Sequence, residues 1–255
     1  MILAIDIGNS NIVLGGLDGD RIAFQARMST DPVKTSDQYC AELKSMLNLF
    51  ELDPKTLEGS IVSSVVPPVS NAIVGAVERL AGHHPLIVGP GVRTGVKIAI
   101  DDPAQAGADL IVAAAAVLAE YGAPACIIDM GTATTITAID REGCFRGGTI
   151  HPGVRISLNA LTSGTAQLPG ISLEAPKKVI GTNTVDSMRA GILTGTACML
   201  DGMIERFEAE LGYTLPVIAT GGLAAAVAPL CKRKMTLDRD LLLKGLREIY
   251  RRNVR

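Results

Sequence analysis

Tryptophan is absent from this chain, and aromatic residues of all kinds make up only 3% of its 255 residues. Modules that hold single-stranded nucleic acid stack bases on aromatic side chains, so that class is excluded. Clustered basic charge is missing too. Lys and Arg number 24 against 26 Asp and Glu, a net charge of −2, which leaves no electrostatic footprint for a phosphate backbone. No apolar run nears the ~20 residues of a membrane span. The five cysteines (Cys40, Cys126, Cys144, Cys198, Cys231) are odd in number, widely spaced and free of any C-x-x-C pair. That pattern excludes a disulfide framework or a thiolate zinc site and fits a reducing compartment. Met1 leads straight into an apolar segment with no basic stretch or cleavage site, so no signal peptide is expected and the expected location is cytoplasmic. A Walker loop, G-x-x-x-x-G-K-[ST], is also lacking.

Against these absences stands a large apolar fraction, 47%, enough for a substantial core. The first seventeen residues, MILAIDIGNSNIVLGGL, set the pattern. Ile2 to Ile5 is an apolar strand ending at Asp6. Ile7-Gly8-Asn9-Ser10 is a tight turn, and Asn11 to Leu17 is a second strand. A carboxylate on such a turn can hold a cation, and backbone N–H groups around Gly8 can face phosphate oxygens. Because a strand follows the glycine, this is not a dinucleotide-binding fingerprint, which requires a helix there. The same device returns as Ile127-Ile128-Asp129-Met130-Gly131-Thr132, followed by the β-branched run Ala133 to Ile139. Two copies half a chain apart point to two similar halves. Two ordinary hairpins with Asp-Gly turns are the plainer alternative.

The rest of the chain reads as an alternation of strands and helices. Residues 1–28 form a meander of three strands, and helical spacing covers 35–49, with Ser36 as N-cap and Asp37 in the first turn. A strand over 59–66 stops at Pro67-Pro68, a helix covers 69–81, and a short buried strand covers 85–88. The Ala-rich stretch 108–119 is helical. The second half repeats strand, turn and strand from Pro124, with a third strand over 143–150. Residues 184–211 form the longest helical pattern, and Gly191, Gly195 and Gly202 on it suit close packing against another helix. A strand over 215–219 ends at Thr220-Gly221-Gly222, and a helix covers 241–252. Lys244, Arg247, Arg251, Arg252 and Arg255 alternate with apolar residues there and read as a solvated face. The expected fold is α/β, two mixed sheets with covering helices, cut into domains 1–115 and 116–255 around a central cleft. Ligands in such folds bind beyond strand ends, and two carboxylates with Gly-rich turns equip that place for phosphoryl transfer.

The motif set resembles the actin/Hsp70/sugar-kinase superfamily, with its ribonuclease-H-like (actin-like ATPase) domains, and within it the type III pantothenate kinases. The residues that carry the resemblance are Asp6-Ile7-Gly8-Asn9-Ser10-Asn11, Ser63-Ser64-Val65-Val66-Pro67-Pro68, Gly107-Ala108-Asp109, Asp129-Met130-Gly131-Thr132-Ala133-Thr134-Thr135, Gly147-Gly148-x-Ile150-x-Pro152-Gly153, Gly181-x-Asn183-Thr184 and Ala219-Thr220-Gly221-Gly222. The resemblance implies phosphorylation of pantothenate by ATP with Mg²⁺, the first step of coenzyme A synthesis, in a homodimer; charge and hydropathy predict no nucleic-acid or membrane partner. It implies that Asp6, Ile7, Gly8, Asn9, Ser10, Asn11, Ile12 and Val13 hold the ATP phosphates, with Asp6 on the metal. Thr132, Gly221 and Gly222 would lie on the nucleotide. Asp129 would bind a monovalent cation, K⁺ or NH₄⁺. Asp109 would be the general base, in a substrate pocket with Ile100, Gly107, Ala108, Leu110 and Thr184.

Several of these residues have plainer readings. Asp109 is a helix-start acid, Thr184 an N-cap, and the threonines after Gly131 are good strand formers. His151 is assigned no role, and Asp101 and Asp102 read as turn residues before Pro103. Three positions depart from the family pattern: Leu110 stands where Arg is expected, Ile100 where Tyr is expected, and Gly164 where relatives carry Arg. They keep two alternatives open, a diverged nucleotide-binding paralogue with a regulatory or accessory role and a kinase for another small acceptor.

Overall fold

In the computed structural model, which describes residues 1–254, the acid-bearing segment folds as expected: β1 (Ile2–Ile7) turns back into β2 (Asn11–Asp18), and β3 (Arg21–Ser29) completes a meander. α1 (Ser36–Leu49), β4 (Gly59–Ser64), α2 (Pro67–Ala81) and β5 (Leu86–Ile87) follow. The sheet order is β3-β2-β1-β4-β5, with β1 antiparallel to β2 and parallel to β4. Side chains alternate between the two faces of a strand, and here the alternation sorts two cores. Leu3, Ile5, Ile7, Ile12 and Leu14 pack with Tyr39, Leu43 and Leu47 of α1 and Val69, Ile73 and Val77 of α2. Ala4, Leu17 and Ile61 lie in a second cluster with Val112 and Ala115 of α3 (Ala108–Glu120). That cluster also takes Leu243, Leu246, Ile249 and Tyr250 of the last helix, α8 (Leu241–Asn253).

The second sheet repeats the plan. β7 (Ala125–Met130), β8 (Ala133–Ile139) and β9 (Cys144–Pro152) form the meander, and β10 (Val217–Thr220) and β11 (Thr236–Leu237) extend it on the other side of β7. Read from β9, the order β9-β8-β7-β10-β11 matches that of the first sheet, with β6 (Lys97–Ile98) added on the β9 edge. Ile128, Met130 and Ile136 pack against α4 (Val154–Gly164) and a long helix made of α5 (Thr184–Arg189), a π-helical turn (Ala190–Thr194) and α6 (Gly195–Leu211). A short helix, α7 (Ala224–Val227), follows β10.

Several expectations need correction. The N-cap of α1 is Thr35 and not Ser36: Thr35 accepts from the Gln38 N–H while Gln38 reaches back to the Thr35 N–H, a reciprocal capping box. Pro67 and Pro68 start α2 instead of merely ending a strand, since the first helical turn needs no N–H from them. Asn183, not Thr184, caps α5 by accepting from the Asp186 N–H at 2.9 Å. The basic end is not simply a solvated face. Arg247 is buried, with Nη1 donating to the Asp20 carbonyl at 2.6 Å, and Arg251 reaches the Asp20 carboxylate at 2.8 Å. Arg255 lies outside the described residues. Gly191 and Gly195 meet open space, so no helix among the described residues requires them, while the Arg206 guanidinium lies against Gly202. β6, α4, α7 and β11 were not anticipated.

The chain divides into two compact units that do not follow a cut at 115/116. The first takes Met1–Val96, Asp102–Ala119 and the segment from Leu241 on; the second takes Lys97–Asp101 and Glu120–Asp240. The expected cut falls inside α3, and α8 belongs to the first unit because its apolar stripe completes that unit's second core. Among the described residues, no helix is long and apolar enough to cross a membrane.

Candidate functional site

Asp6 sits at the end of β1, where Val13 is its register partner across the hairpin. It is only 6% exposed, although the turn beside it is open, with Asn9, Ser10 and Asn11 exposed. The turn is closed by the Gly8 N–H donating to the Asn11 carbonyl at 3.0 Å. That N–H is therefore committed, and the exposed tip from Asn9 to Asn11 is the part open to a ligand. Thr30, just beyond β3, braces the tip twice: its hydroxyl donates to the Gly8 carbonyl at 2.6 Å and its N–H to the Ser10 carbonyl at 3.1 Å. Sequence reasoning missed Thr30, which is twenty-two residues from Gly8 and belongs to no local motif.

Asp109 lies in the first turn of α3, in the same unit. Ala108 beside it packs into the cluster of Ala4 and Ile61, so α3 starts on the sheet face that Ala4, and by alternation Asp6, project from. The Asp109 Oδ1 accepts from the Leu110 N–H at 2.8 Å. Burial pushes its carboxyl above the usual carboxylate range, opposed only by backbone N–H donors, those of Leu110 and Asp109 itself. Gly107 permits this arrangement: a Cβ there would stand 2.5 Å from Oδ1. Leu110 is half-buried and offers no polar group.

In the second unit, Asp129 is the penultimate residue of β7, opposite Thr135 of β8 and beside Thr220 of β10. Its turn is closed by the Gly131 N–H on the Ala133 carbonyl at 3.0 Å, and Gly131 and Thr132 are exposed. Gly221 comes directly against Asp129. Its φ of +94° lies in the left-handed region, and a Cβ there would meet the Met130 backbone at 2.5 Å and the Asp129 Oδ1 at 2.6 Å. Gly222 is exposed next to it. Thus Asp129 and Gly221 are brought together, and Thr132 lies on the Asp129 turn.

Thr184 belongs to a different feature of this unit. It lines a cavity of about 610 Å³ with Leu161, Leu168, Asn183, Met188 and Gly191, next to the π-helical turn. Ile100 is half-buried and touches Gly147, which would hold a Cβ 3.3 Å from its Cγ2. Gly164 ends α4 in open space.

No group of three or more His, Cys, Asp or Glu that could hold a metal ion occurs among the described residues. A cation can also be held jointly by one carboxylate and the phosphate oxygens of a substrate. That suits Mg²⁺, which is bound through one or two carboxylates, phosphate oxygens and water. Asp6 is an acid next to a strand end, beside an exposed turn.

Residues 2–206 match the family model described as type III pantothenate kinase. A type III pantothenate kinase from Moorella thermoacetica is 42% identical over 253 residues, covering 99% of this chain and all of the relative. One from an Exiguobacterium species is 44% identical, covering 99% of both. Among solved structures, the activator of the 2-hydroxyisocaproyl-CoA dehydratase from Clostridium difficile, with bound ADPNP, is similar at a TM-score of 0.59 and 13% identity, covering 98% of this chain and 93% of that one. That likeness bears on the fold alone, and it is the actin-like ATPase fold that the family resemblance implies. With a family match through most of the chain and relatives above 40% identity along its full length, this chain belongs to the type III pantothenate kinase family.

Proposed function

We propose that this chain transfers the γ-phosphate of ATP to the hydroxyl of pantothenate, the first step of coenzyme A synthesis. Family membership along the whole length carries this reading. The roles of individual residues follow from that reading and fit the geometry. The exposed tip from Asn9 to Asn11 offers backbone donors for phosphate oxygens, with Asp6 behind it as the magnesium-side carboxylate. Ile7, Gly8, Ile12 and Val13 hold that tip in place through the hairpin register. Magnesium, when bound, neutralises phosphate charge. Asp109 takes the proton of the attacking hydroxyl, and its desolvated carboxyl is a stronger base than an exposed one. Asp129 is the carboxylate for a monovalent cation, K⁺ or NH₄⁺; Thr132 and Gly222 lie on exposed backbone suited to the nucleotide.

Gly107, Ala108, Leu110, Ile100 and Thr184 are assigned to the acceptor. Without the guanidinium expected at position 110, the substrate carboxylate loses a fork of donors. The acceptor site therefore binds pantothenate weakly while the chemistry stays intact, which is a raised KM more than a lowered kcat. Assembly as a homodimer is supported by exposed apolar side chains of the second unit: Ile150, Ile156, Leu161, Val179 and Ile180. The cysteines are all free, which suits the cytoplasm. The test is a purified-protein assay with ATP, Mg²⁺, K⁺ and pantothenate. Phosphopantothenate should form and should require all four. Nucleotide binding with no transfer to pantothenate at any concentration would overturn the reading in favour of another acceptor or a non-catalytic role.

A further inference from the structure

Ser63 is fully buried on β4, and its Oγ has no hydrogen-bond partner. A buried hydroxyl left unpaired costs stability that an alanine in the same place would not. The register explains why a hydroxyl stands there. Ser63 is the Cα partner of Asp6 across the parallel β1–β4 pair. Register partners on adjacent strands send their side chains to the same face, so the orphaned hydroxyl stands on the Asp6 side of the sheet, the side covered by α3 and α8. The second unit repeats the pairing: Thr220, also buried, is the partner of Asp129 across the parallel β7–β10 pair. The other orphaned hydroxyl, Thr134, has Met130 and His151 as register partners and no acid.

We propose that Ser63 is a positioning residue for Asp6. Its Oγ–H would donate to the Asp6 carboxylate when that carboxylate is oriented to hold the magnesium that accompanies the phosphates of ATP. A carboxylate accepts several hydrogen bonds, and one from a hydroxyl held by the sheet fixes its orientation. Thr220 repeats the arrangement beside Asp129. The proposal rests on the assignment of Asp6 to magnesium and phosphate, and the test separates the two.

The test compares wild type with Ser63→Ala, Ser63→Thr and Asp6→Asn. Mg-ATP affinity is measured by calorimetry, and the melting temperature is measured without nucleotide. Ser63→Ala should melt at or above wild type, because it removes an unpaired buried hydroxyl, yet bind Mg-ATP roughly 10- to 100-fold more weakly, the scale of one hydrogen bond to a charged group. Ser63→Thr keeps the hydroxyl and should recover most of the affinity. Ser63→Ala binding as wild type does while Asp6→Asn binds weakly would overturn the role of Ser63 and leave Asp6 in place. Asp6→Asn binding as wild type would overturn the assignment of Asp6, and the proposal with it. Melting of both Ser63 variants well below wild type, with equal losses of affinity, would make the residue structural and also overturn the proposal.

Discussion

The turn after β1 and the turn after β7 are built to one plan and finished differently. Each follows an apolar strand that places an acid at or next to its end, each acid has a hydroxyl residue as parallel register partner, and each lies in a sheet of the same strand order. The first turn is one residue longer, since Asp6 pairs with Val13 where Asp129 pairs with Thr135. Asp6 is buried and Asp129 is half-exposed. The first tip is braced from β3 by Thr30, and the second acid is crowded from β10 by Gly221. A longer, braced tip suits the grip of phosphate oxygens. An acid with more exposure suits a weakly held monovalent ion. Duplicated topology thus supplies two acids, and the roles proposed for them, magnesium for Asp6 and a monovalent ion for Asp129, follow the difference between their turns.

The largest expected effect is at a residue only the first unit has. Asp109→Ala should lower kcat by about 10²–10⁴-fold while sparing ATP affinity, as read by single-turnover kinetics and calorimetry. The raised carboxyl also gives a pH signature. The base works only when ionised, so the acid limb of kcat/KM should lie above the ordinary Asp value of ~3.9. For stability the sign follows from the same shift. A folded-state pKa above the unfolded one means that ionised Asp109 costs stability. That cost is absent below the unfolded pKa and grows as pH rises through the folded one. Asp109→Asn should therefore gain on wild type in denaturant melts as pH is raised through that window.

Gly221→Ala comes next and breaks the second turn alone. The added methyl cannot avoid the Met130 backbone or the Asp129 carboxylate, and the positive φ disfavours it as well. The expected result is a loss of at least ~1 kcal/mol in stability and a higher K⁺ requirement, checked by melts and by activity against K⁺ concentration. Leu110→Arg should act in the opposite direction. A charge-assisted hydrogen bond to the substrate carboxylate contributes about 1.5–3 kcal/mol, so the KM for pantothenate should fall by roughly one to two decades, most clearly with Ile100→Tyr added. The smallest effect is Thr30→Val, which removes one hydrogen bond from the first tip. About 1 kcal/mol of stability and a modest rise in the KM for ATP should follow, with K⁺ dependence unchanged.

The strand–acid–turn–strand segments, α1, α3 and the long helix were legible because each rests on local periodicity and turn residues. What was not legible depended on distant contacts. Lys97 and Ile98 become β6 only because β9 is there to pair with. α4 follows Pro152-Gly153 and buries only Val154 and Leu158, too few for a clear helical stripe. α8 showed its apolar stripe, yet nothing local reveals that the stripe covers Ala4, Leu17 and Ile61 at the other end of the chain. For the same reason Arg247 looked solvated, although its guanidinium reaches the carbonyl of Asp20. The site divides in the same way. Asp6 and Asp129 stand out in sequence, and Asp109 was assigned through the family resemblance. Thr30 and the register partners Ser63 and Thr220 come into place only when strands pair.

The division of labour between the two acids is tested most directly by titrating Mg-ATP into wild type, Asp6→Asn and Asp129→Asn over a range of K⁺ concentrations. Asp6→Asn should bind Mg-ATP weakly at every K⁺ concentration. Asp129→Asn should bind at the level wild type shows without K⁺ and should no longer respond to added K⁺. If both variants shift Mg-ATP affinity alike and keep the same K⁺ response, the two turns are not specialised and this account of them is wrong.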